Sequence, residues 1–199
     1  MGRKPIDKYR YKDPEIRKKH TIRFMVYFQN NGIENFSMSK MASDLKMSKT
    51  TIYNHFKTKE EIIEAAVDYK LDIIKEYQMV LENITLPYVE RYRKSILFFC
   101  VQTFDVSGKL LLQIQDNYPE IFKKVEKFQR KVFLNLKSYY EVGIDIEVFK
   151  KDLNPLLLAL DDQQFFATLS NDKLLKENNI EILDAFSHHF RMKFTGLIS

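Results

Sequence analysis

Lys49, Thr50, Tyr53, Asn54, His55 and Lys59 sit in one short stretch of the chain, and their types suit contact with a nucleic acid. An asparagine can pair with adenine through two hydrogen bonds, and a threonine methyl can rest against the methyl of thymine. Lys49, Tyr53, His55 and Lys59 are types that hold phosphate, and helix N-termini nearby would add their dipoles. Such chemistry requires the side chains to share one face of a helix. At about 100° per residue, Ile52 and Phe56 lie about 40° apart and face inward. The opposite face then centres on Asn54, with Thr50 close by and Thr51 and Tyr53 on its flanks. Residues 37–56 read as two short helices joined by Lys46-Met47-Ser48, which is the helix-turn-helix arrangement. Ser37 caps the first, over an inner stripe of Met38, Met41, Ala42 and Leu45; Ser48 caps the second, which ends near Phe56.

The charge distribution agrees with a polyanion-binding end. The chain has 199 residues and a net charge of +5. Residues 1–70 hold 15 Lys and Arg against 9 Asp and Glu, a net of +6, whereas residues 71–199 hold 17 against 18, a net of −1. Arg3, Lys4, Lys8, Arg10 and Lys12 form a basic arm that reads either as a solvated, disordered start or as one that reaches DNA backbone or a minor groove. Apolar residues make up 45% and aromatics 14%, which excludes a disordered chain. A single cysteine excludes an internal disulfide and a four-cysteine zinc site. No apolar run approaches the ~20 residues of a membrane span, so a soluble, cytoplasmic protein with no membrane partner is expected.

Apolar residues recur at i, i+3 and i+4 almost throughout, so the chain reads as all-α. Asp13-Pro14-Glu15 starts a helix that carries Thr21, Phe24, Met25 and Phe28 on one face and stops at Gly32. Thr58-Lys59-Glu60-Glu61 is a capping box that opens a long fourth helix, expected to run to Glu82. Pro87, Pro119 and Asn154-Pro155 mark later starts, Gly108 and Gly143 mark stops, and a last helix covers about 180–197.

Residues 14–75 resemble the DNA-binding domain of the tetracycline-repressor (TetR) family of bacterial transcription regulators. The resemblance is carried by Phe28 with Gly32, by Phe36-Ser37-Met38-Ser39-Lys40-Met41-Ala42, and above all by the run from Met47 through Ile52-Tyr53-Asn54-His55-Phe56 to Lys59-Glu60-Glu61. It implies a three-helix helix-turn-helix domain over 1–58 including the arm, a connecting helix over 59–82, and a larger helical ligand-binding and dimerisation domain over 83–199. It also implies that Lys49, Thr50 and Asn54 reach base edges, and that Ser37, Ser48, Thr51, Tyr53, His55 and Lys59 hold phosphates. Two positions depart from the family pattern. Lys46 stands where the turn usually has glycine, and Arg23-Phe24 stand where the first helix usually carries small residues.

From Tyr77 onward the chain carries 18 Phe and Tyr. Phe98, Phe99, Phe104, Phe122, Phe128, Phe133, Phe165 and Phe166 are candidate pocket-lining residues, with Gln102, Gln113, Gln163 and Gln164 as the sparse polar groups that orient a ligand. Residues 155–169 are apolar nearly all round, and the last helix has a stripe of Leu183, Phe186, Phe190, Phe194 and Leu197. With Leu157 and Leu160, that stripe is the expected dimer interface, because the resemblance implies that this helix pair meets its symmetry mate in a four-helix bundle. No nucleophile elbow, phosphate loop or HExxH occurs, and His188 and His189 point about 100° apart on a helix, so no enzyme, metal or cofactor is expected. Cys100 falls in the apolar run 96–101 and reads as an inert buried thiol.

The function implied is a homodimeric transcriptional regulator that represses at a palindromic double-stranded operator and is released by a small lipophilic effector. The alternative is a DNA-tethered interaction module or activator that recruits a protein partner through its C-terminal domain.

Overall fold

The computed structural model describes residues 13–34, 36–104, 106, 108–169, 175 and 177–197. The basic arm from Arg3 to Lys12 lies outside the described residues. Helices follow one another in the order α1 (Pro14–Asn31), α2 (Met38–Asp44), α3 (Lys49–His55), α4 (Lys59–Ile74), α5 (Tyr77–Leu81), α6 (Tyr88–Phe104), α7 (Gly108–Asn117), α8 (Pro119–Asp145), α9 (Pro155–Leu169) and α10 (Ile182–Leu197). The fold is all-α, with an N-terminal helix-turn-helix unit. No single helix among the described residues is long and apolar enough to cross a membrane.

Local chemistry sets the starts of the first four helices. The Asp13 carboxylate accepts from Glu15 N at 2.9 Å, Ser37 Oγ from Lys40 N at 3.1 Å, Ser48 Oγ from Thr51 N at 2.9 Å and Thr58 Oγ1 from Glu61 N at 3.1 Å. Gly32 ends α1 at φ 67°, and its N–H donates back to the Phe28 carbonyl. Lys46 occupies the left-handed region at φ 51°, so the turn keeps its glycine-type backbone with a lysine in it, a strain of about 1–2 kcal/mol.

Three expected boundaries are corrected. The fourth helix ends at Ile74 rather than Glu82, and a break at 75–76 separates it from the five-residue α5. Gly108 opens α7 instead of stopping a helix. Gly143 lies inside α8, where a Cβ would come within 2.3 Å of the Phe149 ring. Its smallness admits that ring, and helix termination follows two residues later.

Two cores result. One joins α1–α4, with Leu110 and Ile114 of α7 and Ile121 and Val125 of α8 closing it. The other gathers α5, α6, α9, α10 and the second half of α8 around Tyr92, Tyr140 and Phe149. α8, with 27 residues, is about 40 Å long and spans both, as does α4, which gives Ile62, Ile63 and Ala66 to the first core and Ile74 to the second.

The second core is knitted by one buried carboxylate. Asp162 on α9 is 0% exposed and accepts from Tyr92 OH at 2.5 Å, Tyr140 OH at 2.6 Å and Lys193 Nζ at 2.6 Å, with His189 Nε2 at 3.3 Å. Lys193 also donates to Asp161 Oδ2 at 3.0 Å and to the Leu158 carbonyl at 2.8 Å. Helices α6, α8, α9 and α10 therefore meet at one charge pair. Asp161, Asp162 and His189 converge closely enough to ligate a cation, but the Lys193 ammonium already sits on both carboxylates.

Candidate functional site

The outward face of α3 presents Lys49, Thr50, Tyr53 and Asn54 to the exterior, while Ile52 and Phe56 are buried beneath it. Lys59, at the start of α4, is exposed, and its ammonium lies 5.8 Å from the Phe36 ring. Ser37 and Ser48 carry the caps of α2 and α3, and Thr51 Oγ1 lies 2.8 Å from Ser48 Oγ, so these hydroxyls are held in fixed positions at the edge of the exposed face.

His55 is a correction. It is only 8% exposed, and its ring meets that of His20 edge-on at 5.1 Å. The residue lies at the margin of the inward arc of Ile52 and Phe56, and α1, arriving with His20, covers it. Its imidazole therefore fills the seam and is turned away from the face that would meet phosphate. Burial lowers the pKa of both imidazoles; His20 is further lowered by His55 and Arg23, and His55 by Arg17, against a smaller opposing effect of Asp13. His20 Nδ1 is buried without a hydrogen-bond partner.

These lowered values make the DNA-binding unit pH-sensitive. The unfolded chain takes up protons near the ordinary imidazole value of about 6.5, before the folded one does. Stability contributed by this pair is therefore complete above that value and is lost as pH falls through it toward the lowered folded values. The urea midpoint is expected to fall between pH 7.5 and 5.5, and a His20→Phe substitution to flatten that fall. An equally steep fall in the variant would remove His20 from the account.

Arg17, which the sequence reading passed over, locks α3 in place. Its guanidinium lies 4.2 Å from the centre of the Phe56 ring, donates to Glu61 Oε1 at 2.9 Å and donates to the His55 carbonyl. Glu61 also accepts from Lys57 N at 2.7 Å, which lowers its pKa, and so it ties α1, the α3–α4 junction and the start of α4 together. The only sequence signal for this role was the capping box containing Glu61.

Behind this unit lies a cavity of about 330 Å³, within the range of small-molecule sites. Its wall is shared: Met25 and Phe28 of α1, Ile63 and Lys70 of α4 and Ile114 of α7 face Phe99 of α6, Val132 of α8 and Phe166 of α9 across it. Of the residues expected there, Phe99, Phe128, Phe133, Gln163 and Phe166 line it, and Phe98, Gln102, Phe104, Gln113, Phe122, Gln164 and Phe165 do not. Phe122 packs against the first core, Phe98 and Phe104 against the second, and Phe165 stacks on His189 at 3.9 Å. Gln102 accepts from Lys70 Nζ at 3.4 Å. The contribution of α1, α4 and α7 was not foreseen, because nothing in their local pattern separates a cavity wall from a packed core.

On α9 and α10, Leu157 and Leu183 are 62% and 54% exposed, and Leu160 is exposed as well. Phe186, Phe194 and Leu197 are corrections, since all three are buried within the subunit. The stripe on α10 serves its own core, with the Phe194 ring 4.8 Å from that of Tyr92 and 5.9 Å from that of Phe149. Phe190 is half-buried in the same stack, 4.6 Å from Phe194.

Residues 25–66, which hold the whole helix-turn-helix and the start of α4, match the family described as bacterial regulatory proteins, tetR family. That segment is a helix-turn-helix of the TetR type. A Staphylococcus aureus MRSA252 relative, the HTH-type transcriptional regulator SAR2658, is 23% identical over 163 residues, which span 81% of this chain and 77% of that protein. Another, SAUSA300_2515 of S. aureus USA300, is 25% identical over 63% of this chain and 62% of its own length. The TetR fold extends over the larger domain too. A TetR transcriptional regulator from Chloroflexus aurantiacus J-10-FL superposes over 92% of this chain and 96% of its own with a TM-score of 0.71 at 17% identity. SmeT, solved in complex with triclosan, superposes over 93% of this chain and 92% of its own with a TM-score of 0.70 at 11% identity. The matched segment and the full-length likeness in fold are those of a DNA-binding transcriptional regulator.

Proposed function

We propose that this regulator is a homodimeric repressor that binds a palindromic operator and releases it when a small lipophilic effector enters the cavity between its two cores. The observation that carries the reading is the shared wall of the cavity, since an occupant that touches Met25, Phe28 and Ile63 touches the DNA-binding unit directly. An effector that binds better to the conformer with misplaced α3 helices weakens DNA binding, and DNA weakens effector binding by the same factor. The exposed Leu157, Leu160 and Leu183 favour pairing of α9 and α10 with a second subunit, which would set two α3 helices about 34–36 Å apart, one turn of DNA. A neighbour in fold was solved with the lipophilic compound triclosan, which accords with this class of effector.

On this reading Lys49, Thr50 and Asn54 contact base edges, and Ser37, Ser48, Thr51, Tyr53 and Lys59 hold phosphates. Selection from a random duplex library at near-physiological salt is expected to enrich an inverted repeat; retention without enrichment would count against sequence readout. On the selected site, Asn54→Ala should lose about 1–3 kcal/mol with relaxed preference at one base position. Lys59→Ala should weaken all sequences alike and lower the salt slope by about one unit. An equal loss on every sequence would move Asn54 to the phosphate group. Release that required a protein partner in place of a small molecule would favour the recruitment alternative.

A further inference from the structure

We infer that Lys46, in the turn between α2 and α3, is a phosphate-binding residue of the DNA interface, retained for its charge in a backbone position that favours glycine. This rests on the reading that α3 faces DNA and adds a contact outside the residues assigned above. The end of α2 closes in a Schellman motif, in which Met47 N donates to the Ala42 carbonyl at 2.8 Å and Lys46 N to the Ser43 carbonyl at 3.0 Å. That pattern holds Lys46 at φ 51°, a conformation that glycine adopts freely and that strains a residue with a side chain. Arg23 of α1 fixes the same turn from outside, donating at 2.5 Å to the Leu45 carbonyl on the peptide that leads into Lys46.

Three residues other than glycine have positive φ among the described residues. Asn179 is of a type that tolerates it, and Glu147 pairs with Lys151 at 2.7 Å. Lys46 is neither. It is exposed, and its ammonium has no hydrogen-bond or ion-pair partner among the described residues. The nearest carboxylate along the chain, that of Asp44, already accepts from Tyr27 OH at 2.9 Å. Strain of this kind is kept where the side chain performs a task that the unstrained residue would not. In a helix-turn-helix the first helix crosses the DNA backbone and the second puts its N-terminal residues on the base edges, so the turn between them passes over phosphate. Lys46 stands in that turn, two residues before Ser48 and three before Lys49. An unpaired ammonium there meets phosphate without first breaking a contact within the protein.

The test is fluorescence anisotropy of the full-length protein with a mixed-sequence DNA duplex between about 50 and 200 mM salt, with urea denaturation beside it. Lys46→Gly is expected to raise the urea midpoint by about 0.2–0.5 M, because strain is relieved. The same variant should bind about 3–10-fold more weakly, with a salt slope flatter by about 0.9. A gain in stability beside a loss in binding separates the role of the charge from misfolding. Lys46→Gln should show the same losses in affinity and slope with the midpoint unchanged, and Lys46→Arg should keep both. Lys127→Gln, which removes an exposed cation from α8, should leave the slope unaltered. An unchanged slope in Lys46→Gln, or an equal flattening in Lys127→Gln, overturns the phosphate assignment and leaves the DNA-binding reading standing. A midpoint that falls in Lys46→Gly removes the strain on which the assignment is built and overturns it as well. A wild-type protein that fails to bind the duplex overturns both the assignment and the reading beneath it.

Discussion

Asp162→Ala is expected to destabilise the protein by about 3–5 kcal/mol, because it leaves the Lys193 ammonium buried without its main counter-charge. Asp162 is fully buried, and its two oxygens take up Tyr92, Tyr140 and Lys193 within 2.6 Å. The exposed Asp161 carboxylate, 3.0 Å from the same ammonium, can retain only part of the pairing. Urea denaturation at neutral pH measures the loss. The double variant Asp162→Leu with Lys193→Met should recover most of it, since replacing both charges with apolar groups removes the uncompensated ion. A single-variant loss below about 1 kcal/mol, or a double variant worse than the single, would show that the network is not the tie between α9 and the rest of the second core. The burial that makes this carboxylate costly to remove also pushes the two tyrosines well above their ordinary pKa, and both then serve as donors to Asp162 across the working pH range.

Phe56→Ala should have a comparable effect at the other end of the molecule, about 3–5 kcal/mol, and should abolish specific DNA binding at room temperature. Phe56 is fully buried, meets Phe24 edge-on at 5.3 Å and carries the Arg17 guanidinium on its face at 4.2 Å. Truncation removes a whole aromatic side chain and also the surface on which Arg17 lies as it spans α1, the end of α3 and Glu61. The exposed residues of α3 are untouched, so any lost affinity follows from loss of position. Phe56→Leu fills much of the same space and should lose far less. Affinity unchanged in Phe56→Ala, with a transition shifted by less than about 1 kcal/mol, would contradict this role.

The two substitutions differ in how visible their targets were. Phe56 and Ile52 were legible as inward residues because a seven-residue helix with one apolar arc has few ways to face a core. The caps at Asp13, Ser37, Ser48 and Thr58 were legible for a similar reason, since each answers unsatisfied N–H groups of its own first turn. Asp162 carried no such signal. An aspartate within Leu160-Asp161-Asp162-Gln163 looks like a solvated surface residue until Tyr92, Tyr140 and Lys193 arrive from three other helices. The error over Phe186, Phe194 and Leu197 has the same origin, because an apolar stripe states that it must be covered but leaves open whether its own subunit or a second one does so.

By itself the sequence determined the all-α class, the helix-turn-helix with its Lys49, Thr50 and Asn54 face, and the family resemblance, because these depend on contacts between residues close together in the chain. Tertiary structure alone decided that His55 turns inward, that α4 breaks at 75–76, and that the cavity has α1, α4 and α7 in its wall. The physical reason is range. Caps and helix faces are set within about one or two turns of chain, whereas a cavity wall, a buried ion pair and an inward histidine exist only where segments tens of residues apart exclude water together.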